Sequence, residues 1–596
     1  MKKDDTRYKE LLGYEPSEYQ KKIFDFVLHG TGNAVVKARA GSGKTATLIT
    51  SMRLVPEKKR CLFLAFNRSV RDEIAGKLAG QDNCSVMTVH SLGYRMIMSN
   101  YRSKPAINDF KYSQFLKSNI RELSSQAPED KAELSEYMER ILLIINFGRL
   151  ALCQTKNELL RVAAKHDIGF KFDEIDVALA AMEWGKGCVV ELDYTDMVWL
   201  PNELDLNPKQ FKFDWIFNDE AQDYSEAYVK LFMRCFKRGT RFVSTGDDYQ
   251  SINMFAGAST TAFDEMVNYK NTTLFTLPIS YRCDKAIVNE ARLLVEDIEP
   301  RPDAGPGVVI QDSHIRDING DDMVLCRTNA PLIKMFTILI DRNKPCYIKG
   351  KDDDKKRFIE TVERFAVGEE LGKDLNRDGL FPRLYDNMLE DRNKHMMRGL
   401  DAVDAINSPS VQAKYDTITA LSIIAKNCKS KTELVNRINR IFSTSNSGIC
   451  LSTVHKAKGL ESDNVHILCR SLMPSKSAKT KDEIQQENNL IYVAVTRAKH
   501  KLCYVSEKEF PPAKAFDGDG DALSEFRYIE TKVCRLYGKE PVSYMSDGEM
   551  AKFRLSSSSN TNIENNPIHR NDNAKRLPSV QTTPFERKRK SLLDNL

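Results

Sequence analysis

The stretch NAVVKARAGSGKT, residues 33–45, decides the fold class of this chain. Its first half is apolar, its second half is rich in glycine, and the residues after it continue in a helical pattern. A strand, a glycine-rich turn and a helix in this order are typical of a loop that binds phosphate groups. Gly41 and Gly43 let the backbone turn so that its N–H groups converge on phosphate oxygens, and the helix that follows adds the positive end of its dipole.

The polar residues of this loop predict the binding of a nucleoside triphosphate with Mg²⁺. Lys44 places a positive charge at the β- and γ-phosphates, and Thr45 offers a hydroxyl group to the metal ion. Ala38 stands where the strict form of the pattern has its first glycine. The residues expected to contact the nucleotide here are Ala40, Gly41, Ser42, Gly43, Lys44 and Thr45.

An acidic cluster follows a second apolar run. Residues 215–217 lead through Asn218 into the sequence DEAQD, residues 219–223. In an open parallel sheet, ligands bind beyond the carboxyl ends of the strands, so carboxylates in this position can reach a bound phosphate group. Asp219 therefore suits a Mg²⁺ ligand, and Glu220 suits the group that polarises the attacking water.

Apolar runs of this kind recur in both halves of the chain and alternate with helical patterns, which predicts parallel strands buried on both faces. The runs are residues 34–36, 61–66, 215–217, 241–244, 323–326, 449–451, 465–468 and 502–505. Residues 96–199 and 347–444 have a helical texture instead. The expected fold class is α/β, with two doubly wound parallel sheets, each carrying a helical insertion.

Sequence motifs between residues 20 and 500 resemble, in the same order, those of superfamily 1 helicases of the UvrD/Rep type. The segments that carry the resemblance are ARAGSGKT (38–45), NRS (67–69), TVHSL (88–92), DYTDM (193–197), DEAQD (219–223), GDDYQSI (246–252), YR (281–282), TVHKAKGLE (453–461) and YVAVTRAK (492–499). The resemblance implies two RecA-like P-loop NTPase domains. The expected bounds are 1–95 with 200–280 for the first domain, 96–199 for its insertion, 281–346 with 445–544 for the second domain, 347–444 for its insertion, and 545–596 for a disordered basic tail.

The resemblance also implies roles around the nucleotide. Gln20 is expected to read adenine, Tyr281 to stack on it, and Glu461 to contact the nucleotide. Gln250 is expected to sense the γ-phosphate. Arg282 and Arg497 are expected to reach the same phosphate from the second domain, with Arg497 as the arginine finger, so that ATP is hydrolysed only when the two domains close on it.

The remaining motif residues are expected to contact a single strand of nucleic acid: Asn67, Arg68, Thr88, His90, Phe255 and His455. The implied function is an ATP-dependent single-stranded DNA translocase and helicase that moves 3′→5′ on single-stranded and tailed duplex DNA, in repair, recombination or replication. Two alternatives stay open. One is an RNA helicase of the same superfamily, and the other is a nucleotide-switched module that binds single strands without unwinding.

Composition excludes several other classes. Hydrophobic residues make up 41% and charged residues 29% of the 596 residues, which is ordinary for a globular protein with several domains. No apolar run is long enough for a bilayer, and the N-terminus has no secretory pattern. The 13 cysteines are scattered and include no C-x-x-C pair, which argues against zinc and disulfide scaffolds and favours a reducing compartment. The expected location is the cytoplasm of a bacterial or phage-infected cell, or the nucleus of a eukaryote.

Charge is concentrated at one end of the chain. Residues 551–596 hold nine Lys or Arg against four Asp or Glu, whereas the whole chain has a net charge of only +6. The rest of the chain is nearly neutral, so nucleic acid is expected to bind in a local groove and not through a global field. The basic run FERKRK (585–590) is a candidate contact for protein partners or nucleic acid, and the expected state is a monomer or loose dimer.

Overall fold

The computed structural model describes residues 2–65, 67–166, 168–170, 172–252, 260–397, 399–442, 447–512 and 522–542. The chain divides into two compact units between Gly305 and Pro306. Phe66, Phe255 and the tail from 545 onward lie outside the described residues. Over the described part of the chain, every helix is too short or too polar to cross a bilayer.

The first unit is built around a six-stranded sheet with two smaller strand pairs. Its strands are β1 (Asn33–Ala38), β2 (Cys61–Ala65), β3 (Cys84–Thr88), β4 (Ala106–Ile107), β5 (Glu191–Leu192), β6 (Phe213–Asn218), β7 (Phe236–Gly246), β8 (Thr272–Leu277), β9 (Ile279–Ser280) and β10 (Glu299–Pro300). Its helices are α1 (Lys2–Leu12), α2 (Glu18–His29), α3 (Lys44–Leu54), α4 (Arg68–Lys77), α5 (Val89–Tyr101), α6 (Lys111–Leu123), α7 (Lys131–Leu150), α8 (Lys156–Lys165), α9 (Phe172–Gly187), α10 (Tyr194–Glu203), α11 (Glu226–Met233), α12 (Thr260–Val267) and α13 (Lys285–Arg292).

All strand pairs of the large sheet are parallel, in the order β3-β2-β6-β7-β1-β8. Neighbouring residues of one strand point to opposite faces, so Val35 joins one hydrophobic cluster and Val36 joins the other. Leu62 and Phe63 divide in the same way on β2. Because both faces are covered, these strands read as continuous apolar runs in the sequence.

The helices between β3 and β6 have a hydrophobic cluster of their own, and α5 and α10 also pack on the large sheet through Leu92 and Val198. Ile141, Ile144, Leu159 and Ala178 belong to this cluster, which includes no residue of the large sheet. The short pair β4–β5 also lies in this insertion, in a region for which the sequence predicts helices only.

The second unit has a second six-stranded parallel sheet, in the order β11-β16-β15-β12-β14-β13. Its strands are β11 (Val308–Ser313), β12 (Met323–Cys326), β13 (Cys346–Ile348), β14 (Ile449–Thr453), β15 (Ser462–Ile467) and β16 (Ala498–Val505). Its helices are α14 (Asn329–Asp341), α15 (Lys351–Phe365), α16 (Leu380–Met397), α17 (Ala402–Ile406), α18 (Pro409–Ala425), α19 (Lys431–Ile441), α20 (Lys481–Val495) and α21 (Ala522–Tyr537). The predicted α/β class with two parallel sheets is confirmed.

The boundary between the compact units differs from the one expected at residues 280/281. Residues 281–305 group with the first unit. The short strand β9 pairs with β10, and α13 between them buries Ile287 and Val288. Gly305 N–H donates to Asp284 Oδ1, which closes this segment on itself, and Glu299 N–H donates to Pro278 O at 2.9 Å, which ties it to the rest of the first unit.

Candidate nucleotide site and nucleic-acid edge

The carboxyl end of β1 forms the phosphate loop that the sequence predicts. β1 ends at Ala38 and α3 begins at Lys44. Gly41 has φ 72° and Gly43, the residue before α3, has φ 78°, a left-handed conformation that glycine adopts without strain. The helix N-terminus therefore opens directly onto the loop, as an anion site requires.

Four side chains of the site meet at the ends of β1 and β6. Lys44 Nζ lies 2.9 Å from Glu220 Oε1. Thr45 Oγ1 donates to Asp219 Oδ2 at 2.6 Å, and Thr245 Oγ1 donates to Asp219 Oδ1 at 2.8 Å. Glu220 has φ 52°, a strained backbone conformation of the kind that concentrates at functional sites. The structure brings Lys44, Thr45, Asp219 and Glu220 together, as the sequence predicts.

Burial and charge act against each other in this cluster. Burial would lower the pKa of Lys44, but the carboxylates of Glu220 and Asp219 outweigh it and raise that pKa, so the ammonium group stays charged. Burial, and then the negative charge of Glu220, raise the pKa of Asp219. A second positive charge beside Asp219 would relieve this, which is what a divalent cation supplies.

Two buried polar atoms of the loop fit a phosphate ligand. Within the described residues, Ser42 Oγ has no hydrogen-bond partner, and the three-proton donor Lys44 Nζ has only the ion pair with Glu220. Unsatisfied buried polar groups are costly, so their presence at a helix N-terminus points to an anionic ligand. The residues that would hold Mg²⁺ beside it are Thr45 and Asp219, an oxygen donor set that suits this ion.

A hydrogen-bonded chain connects Glu220 to the end of β7. Gln222 Nε2 donates to Glu220 Oε2 at 2.6 Å, and Gln222 Oε1 accepts from the backbone N–H of Asp247 at 3.0 Å. Asp247 Oδ2 in turn accepts from Gln250 Nε2 at 2.6 Å. The predicted phosphate sensor Gln250 is thereby held on the same network as Glu220.

The segment after β8 crosses the loop closely. Tyr281 N–H donates to Gly41 O at 2.9 Å. A Cβ atom at Gly41 would lie 2.6 Å from Arg282 Cβ, so only glycine fits here. Arg282 was expected to come from the second domain, but it belongs to the first compact unit.

Comparison with known proteins agrees with this geometry. Residues 19–270 match the UvrD/REP helicase N-terminal domain, and residues 383–509 match the UvrD-like helicase C-terminal domain. The chain belongs to the UvrD/Rep helicase family.

Several curated proteins are similar to this member of the UvrD/Rep family. F-box DNA helicase protein 1 of Schizosaccharomyces pombe is 24% identical over 526 residues, which cover 81% of this chain and 56% of that protein. ATP-dependent DNA helicase Rep of Buchnera aphidicola (strain Bp) is 25% identical over 306 residues, covering 47% and 43% of the two chains. The putative ATP-dependent DNA helicase YjcD of Bacillus subtilis is 20% identical, covering 79% and 76%. The chain spans about half the length of the F-box relatives it matches.

The UvrD/Rep resemblance assigns Gln20 to adenine, and its surroundings constrain that role. Gln20 is fully buried. Its Oε1 accepts from the N–H and the hydroxyl of Ser17, and its Nε2 donates to Thr47 Oγ1 at 3.1 Å. The amide of Gln20 also bonds to the hydroxyl of Tyr14, so its neighbours already use the hydrogen-bonding groups of this side chain. Nearby, Ser42, Pro278 and Tyr281 line a shallow depression, and the stacking role of Tyr281 stays a prediction.

The nucleic-acid candidates of the first unit lie beyond the carboxyl ends of β2 and β3. Asn67 Oδ1 accepts from Val70 N–H and caps α4, and the hydroxyl of Thr88 caps α5 by accepting from Ser91 N–H. Their side chains thus position two helix N-termini, whose free N–H groups suit backbone phosphates. Arg68 is exposed at the same edge.

His90 lies in an aromatic cluster next to this edge. Its Nε2 is 3.1 Å from the hydroxyl oxygen of Tyr228, and the rings of Tyr194 and Tyr228 meet it edge to face. Burial lowers the pKa of His90, so the imidazole is neutral near pH 7.

The UvrD/Rep motif residues of the second unit lie at both edges of its own sheet: Glu461 and Arg497 precede the amino ends of β15 and β16, and His455 follows the carboxyl end of β14. Arg497 is buried, and its guanidinium donates to Val493 O at 3.0 Å and Leu460 O at 2.9 Å. Glu461 pairs with Lys499 at 3.2 Å. Burial, and then the charge of Arg327, lower the pKa of His455 to about 3. The roles of Arg497, Glu461 and His455 stay predictions.

Sequence reasoning missed several residues that hold the site together. Thr245, Gln222 and Asp247 bond directly to Asp219, Glu220 and Gln250 but received no role. Gln222 and Asp247 lie inside matched motifs, which was an available signal. Thr245 is separated from Asp219 by 26 positions, and nothing in the sequence pairs the two.

Proposed function

We propose that this chain is an ATP-dependent single-stranded DNA translocase and helicase that moves 3′→5′ and couples Mg-ATP hydrolysis between its two units to strand movement and duplex unwinding. The observation that carries the proposal is the convergence of Lys44, Thr45, Asp219 and Glu220 at the end of β1. Family membership supports it, and the names of the relatives supply the DNA substrate.

In the proposed reaction, the chain's own residues act by position and charge. The loop's N–H groups and Lys44 bind the phosphates, and Thr45 and Asp219 hold Mg²⁺, which when bound neutralises charge that develops on the phosphate oxygens. Glu220 orients the attacking water, and a hydrogen bond from Gln222 holds one carboxylate oxygen of Glu220 in place. Arg282, whose Cβ lies next to Gly41, would reach the γ-phosphate from the segment after β8.

The strand order supports coupling to nucleic acid. The order β3-β2-β6-β7-β1-β8 places the nucleotide residues on β6, β7, β1 and β8, and the nucleic-acid candidates directly beside them on β2 and β3. Because β2 is the neighbour of β6, a nucleic-acid contact at the carboxyl end of β2 lies beside Glu220, which follows β6. Stacking and phosphate contacts of this kind tolerate any base sequence, as a translocase requires.

The decisive experiment combines ATP turnover with unwinding. Wild type, Lys44→Ala and Arg497→Ala are compared for single-strand-stimulated ATPase, and wild type is tested on duplexes with 3′ or 5′ tails in ATP and Mg²⁺. The proposal expects stimulated turnover that both substitutions abolish, and unwinding of the 3′-tailed duplex only. Wild-type turnover in both variants would remove the proposal, and preference for the 5′ tail would reverse the polarity.

Matched DNA and RNA oligonucleotides separate the remaining alternatives. Stronger stimulation by RNA would favour an RNA helicase, and nucleotide-dependent binding without turnover would favour a switch. We further propose that the enzyme acts in DNA repair, recombination or replication, as a monomer or loose dimer. It would act in the bacterial or phage-infected cytoplasm or in a eukaryotic nucleus, with the basic tail as a contact for partners.

A further inference from the structure

Arg39 is a residue of the phosphate loop that the proposed reaction does not use. It lies between Ala38 and Ala40 and is 5% exposed. Its backbone N–H donates to Leu277 O at 2.9 Å, and its carbonyl accepts from Ser42 N–H at 3.1 Å. The main chain of Arg39 is therefore part of the loop's turn, and any movement of its side chain is transmitted to the loop.

The guanidinium of Arg39 contacts three carboxylates. Its Nε and Nη2 donate to the two oxygens of Asp297 at 2.7 and 2.8 Å, which is the fork geometry of a strong pair. On the other side, Nη1 donates to Asp248 Oδ1 at 2.7 Å and to Asp247 Oδ1 at 3.2 Å. The ring of Tyr249 lies 4.7 Å from the guanidinium carbon. One planar cation thus joins the loop to the end of β7 and to the chain after α13.

Asp247 is the carboxylate that connects Arg39 to Gln250, the residue expected to sense the γ-phosphate. It is fully buried, and its second oxygen accepts from Gln250 Nε2 at 2.6 Å. Arg39 and Gln250 therefore hold the same carboxylate from two sides. The backbone N–H of Asp247 continues the connection through Gln222 to Glu220.

We propose that Arg39 is a positioning residue that fixes the Gln250 amide through Asp247. The inference rests on the proposed function and deepens it. Only a guanidinium can span Asp297 and Asp247 at once, because a lysine ammonium is a compact charge without a planar fork.

Four single substitutions and two double substitutions test this role by ATP turnover. Arg39→Lys keeps the charge but loses the bridge, and is expected to lower kcat about tenfold or more while changing the KM for ATP less than about threefold. Asp297→Asn is the matched control on the far side of the same guanidinium, and is expected to change kcat less than about threefold. Equal losses in Arg39→Lys and Asp297→Asn would make Arg39 a structural anchor and overturn the proposal.

Non-additivity gives the sharper readout. If Arg39 acts through Gln250, the double variant Arg39→Lys with Gln250→Ala turns over no more slowly than Gln250→Ala alone, whereas independent effects multiply. Multiplying effects overturn the proposal. Asp247→Asn probes the same connection from the shared carboxylate and is expected to show the same non-additivity with Gln250→Ala, so the test stands even if Arg39→Lys folds poorly.

The failure of the broader proposal is distinguishable from the failure of this one. Wild-type turnover that nucleic acid does not stimulate would contradict the translocase proposal, but the same variant cycle can then be read on unstimulated turnover. Equilibrium binding of a fluorescent ATP analogue reports on the nucleotide site separately, and Arg39→Lys is expected to bind it within about threefold of wild type. A loss of binding that accounts for the whole loss of turnover overturns the positioning role.

Discussion

The two units share one architecture and use buried charge differently. In the first unit, Asp219 follows the carboxyl end of β6 and faces Lys44 in the ligand-binding edge of the sheet. In the second, Asp322 precedes the amino end of β12 and pairs with His466 of β15 at 3.0 Å inside the sheet. The same type of sheet thus carries buried charge at the carboxyl ends of its strands in the first unit, where ligands bind to parallel sheets, and at the amino end of a strand in the second unit, where it pairs within the sheet.

The largest expected effect comes from removing the positive charge of Lys44 at the ligand-binding edge of the first sheet. Lys44→Ala is expected to lower ATP turnover by roughly 10²–10³-fold or more, because a preorganised phosphate contact in a dry site contributes this much. The measurement is steady-state ATPase, with Lys77→Ala, an exposed ion-pair partner of Glu73 in the same unit, as the control. Turnover within tenfold of wild type would show that the edge is not catalytic.

Next in size is Thr245→Val, which removes a buried hydroxyl without changing its shape. Asp219 loses one hydrogen bond, so we expect a roughly 10- to 100-fold rise in the Mg²⁺ concentration needed for half-maximal turnover, as for other residues that orient a metal ligand. Thr240→Val is the matched control at the other end of β7, where the hydroxyl donates to Phe213 O. Equal Mg²⁺ requirements in the two variants would contradict the role of Thr245.

The buried pair of Asp322 and His466 in the second unit is expected to affect the stability of that unit and not ATP turnover. Burial would lower the pKa of His466, but hydrogen bonds to Asp322 and Cys503 outweigh it and raise that pKa to about 8 from 6.5. The folded-state pKa is the higher one, so this stabilisation is complete below about pH 6.5 and is lost as the pH rises through 8. A difference of this size corresponds to about 2 kcal/mol.

Hydrogen exchange at β12 and β15 measures this effect between pH 6 and pH 9, and His466→Gln should abolish the pH dependence. Trp184, Trp199 and Trp215, the only tryptophans of the chain, all lie in the first unit, so their fluorescence reports on that unit alone as an internal control. If the stability measured at β15 does not fall as the pH rises, the stabilising role of His466 is contradicted.

The smallest expected effect tests whether the ligand edge of the first unit extends to β2. Arg68→Ala is expected to weaken binding of single-stranded DNA a few-fold and to reduce the slope of log affinity against log salt by about 1 or less, because one phosphate contact is lost. Lys58→Ala is the control, since Lys58 is exposed before the amino end of the same strand. Indistinguishable salt slopes in the two variants would remove Arg68 from the interface.

The strands and the phosphate loop could be predicted from the sequence because their signals are local. Residues 61–65 are apolar without interruption since β2 is buried on both faces, and the loop follows its strand within a few residues. The unit boundary could not be predicted, because it depends on the pairing of β9 with β10, each two residues long.

The connections within the site escaped prediction for a related reason. Arg39 contacts Asp297, which is 258 positions away, and no periodicity or motif relates the two. The amide of Gln20 shows another limit: its position predicts a ligand contact, whereas its neighbours Ser17 and Thr47 occupy most of its hydrogen-bonding capacity.

The separate hydrophobic cluster of the first insertion has an evolutionary consequence. Helices α6 to α9 can be lengthened, exchanged or deleted with little repacking of the sheet, since their side chains belong to neither sheet cluster, whereas α5 and α10 pack on the sheet through Leu92 and Val198. The second insertion lacks this freedom, because Leu384 and Ile418 share one cluster with Val324 and Leu451 of the sheet. Lineages of such proteins are therefore expected to diversify in size mainly through the first insertion.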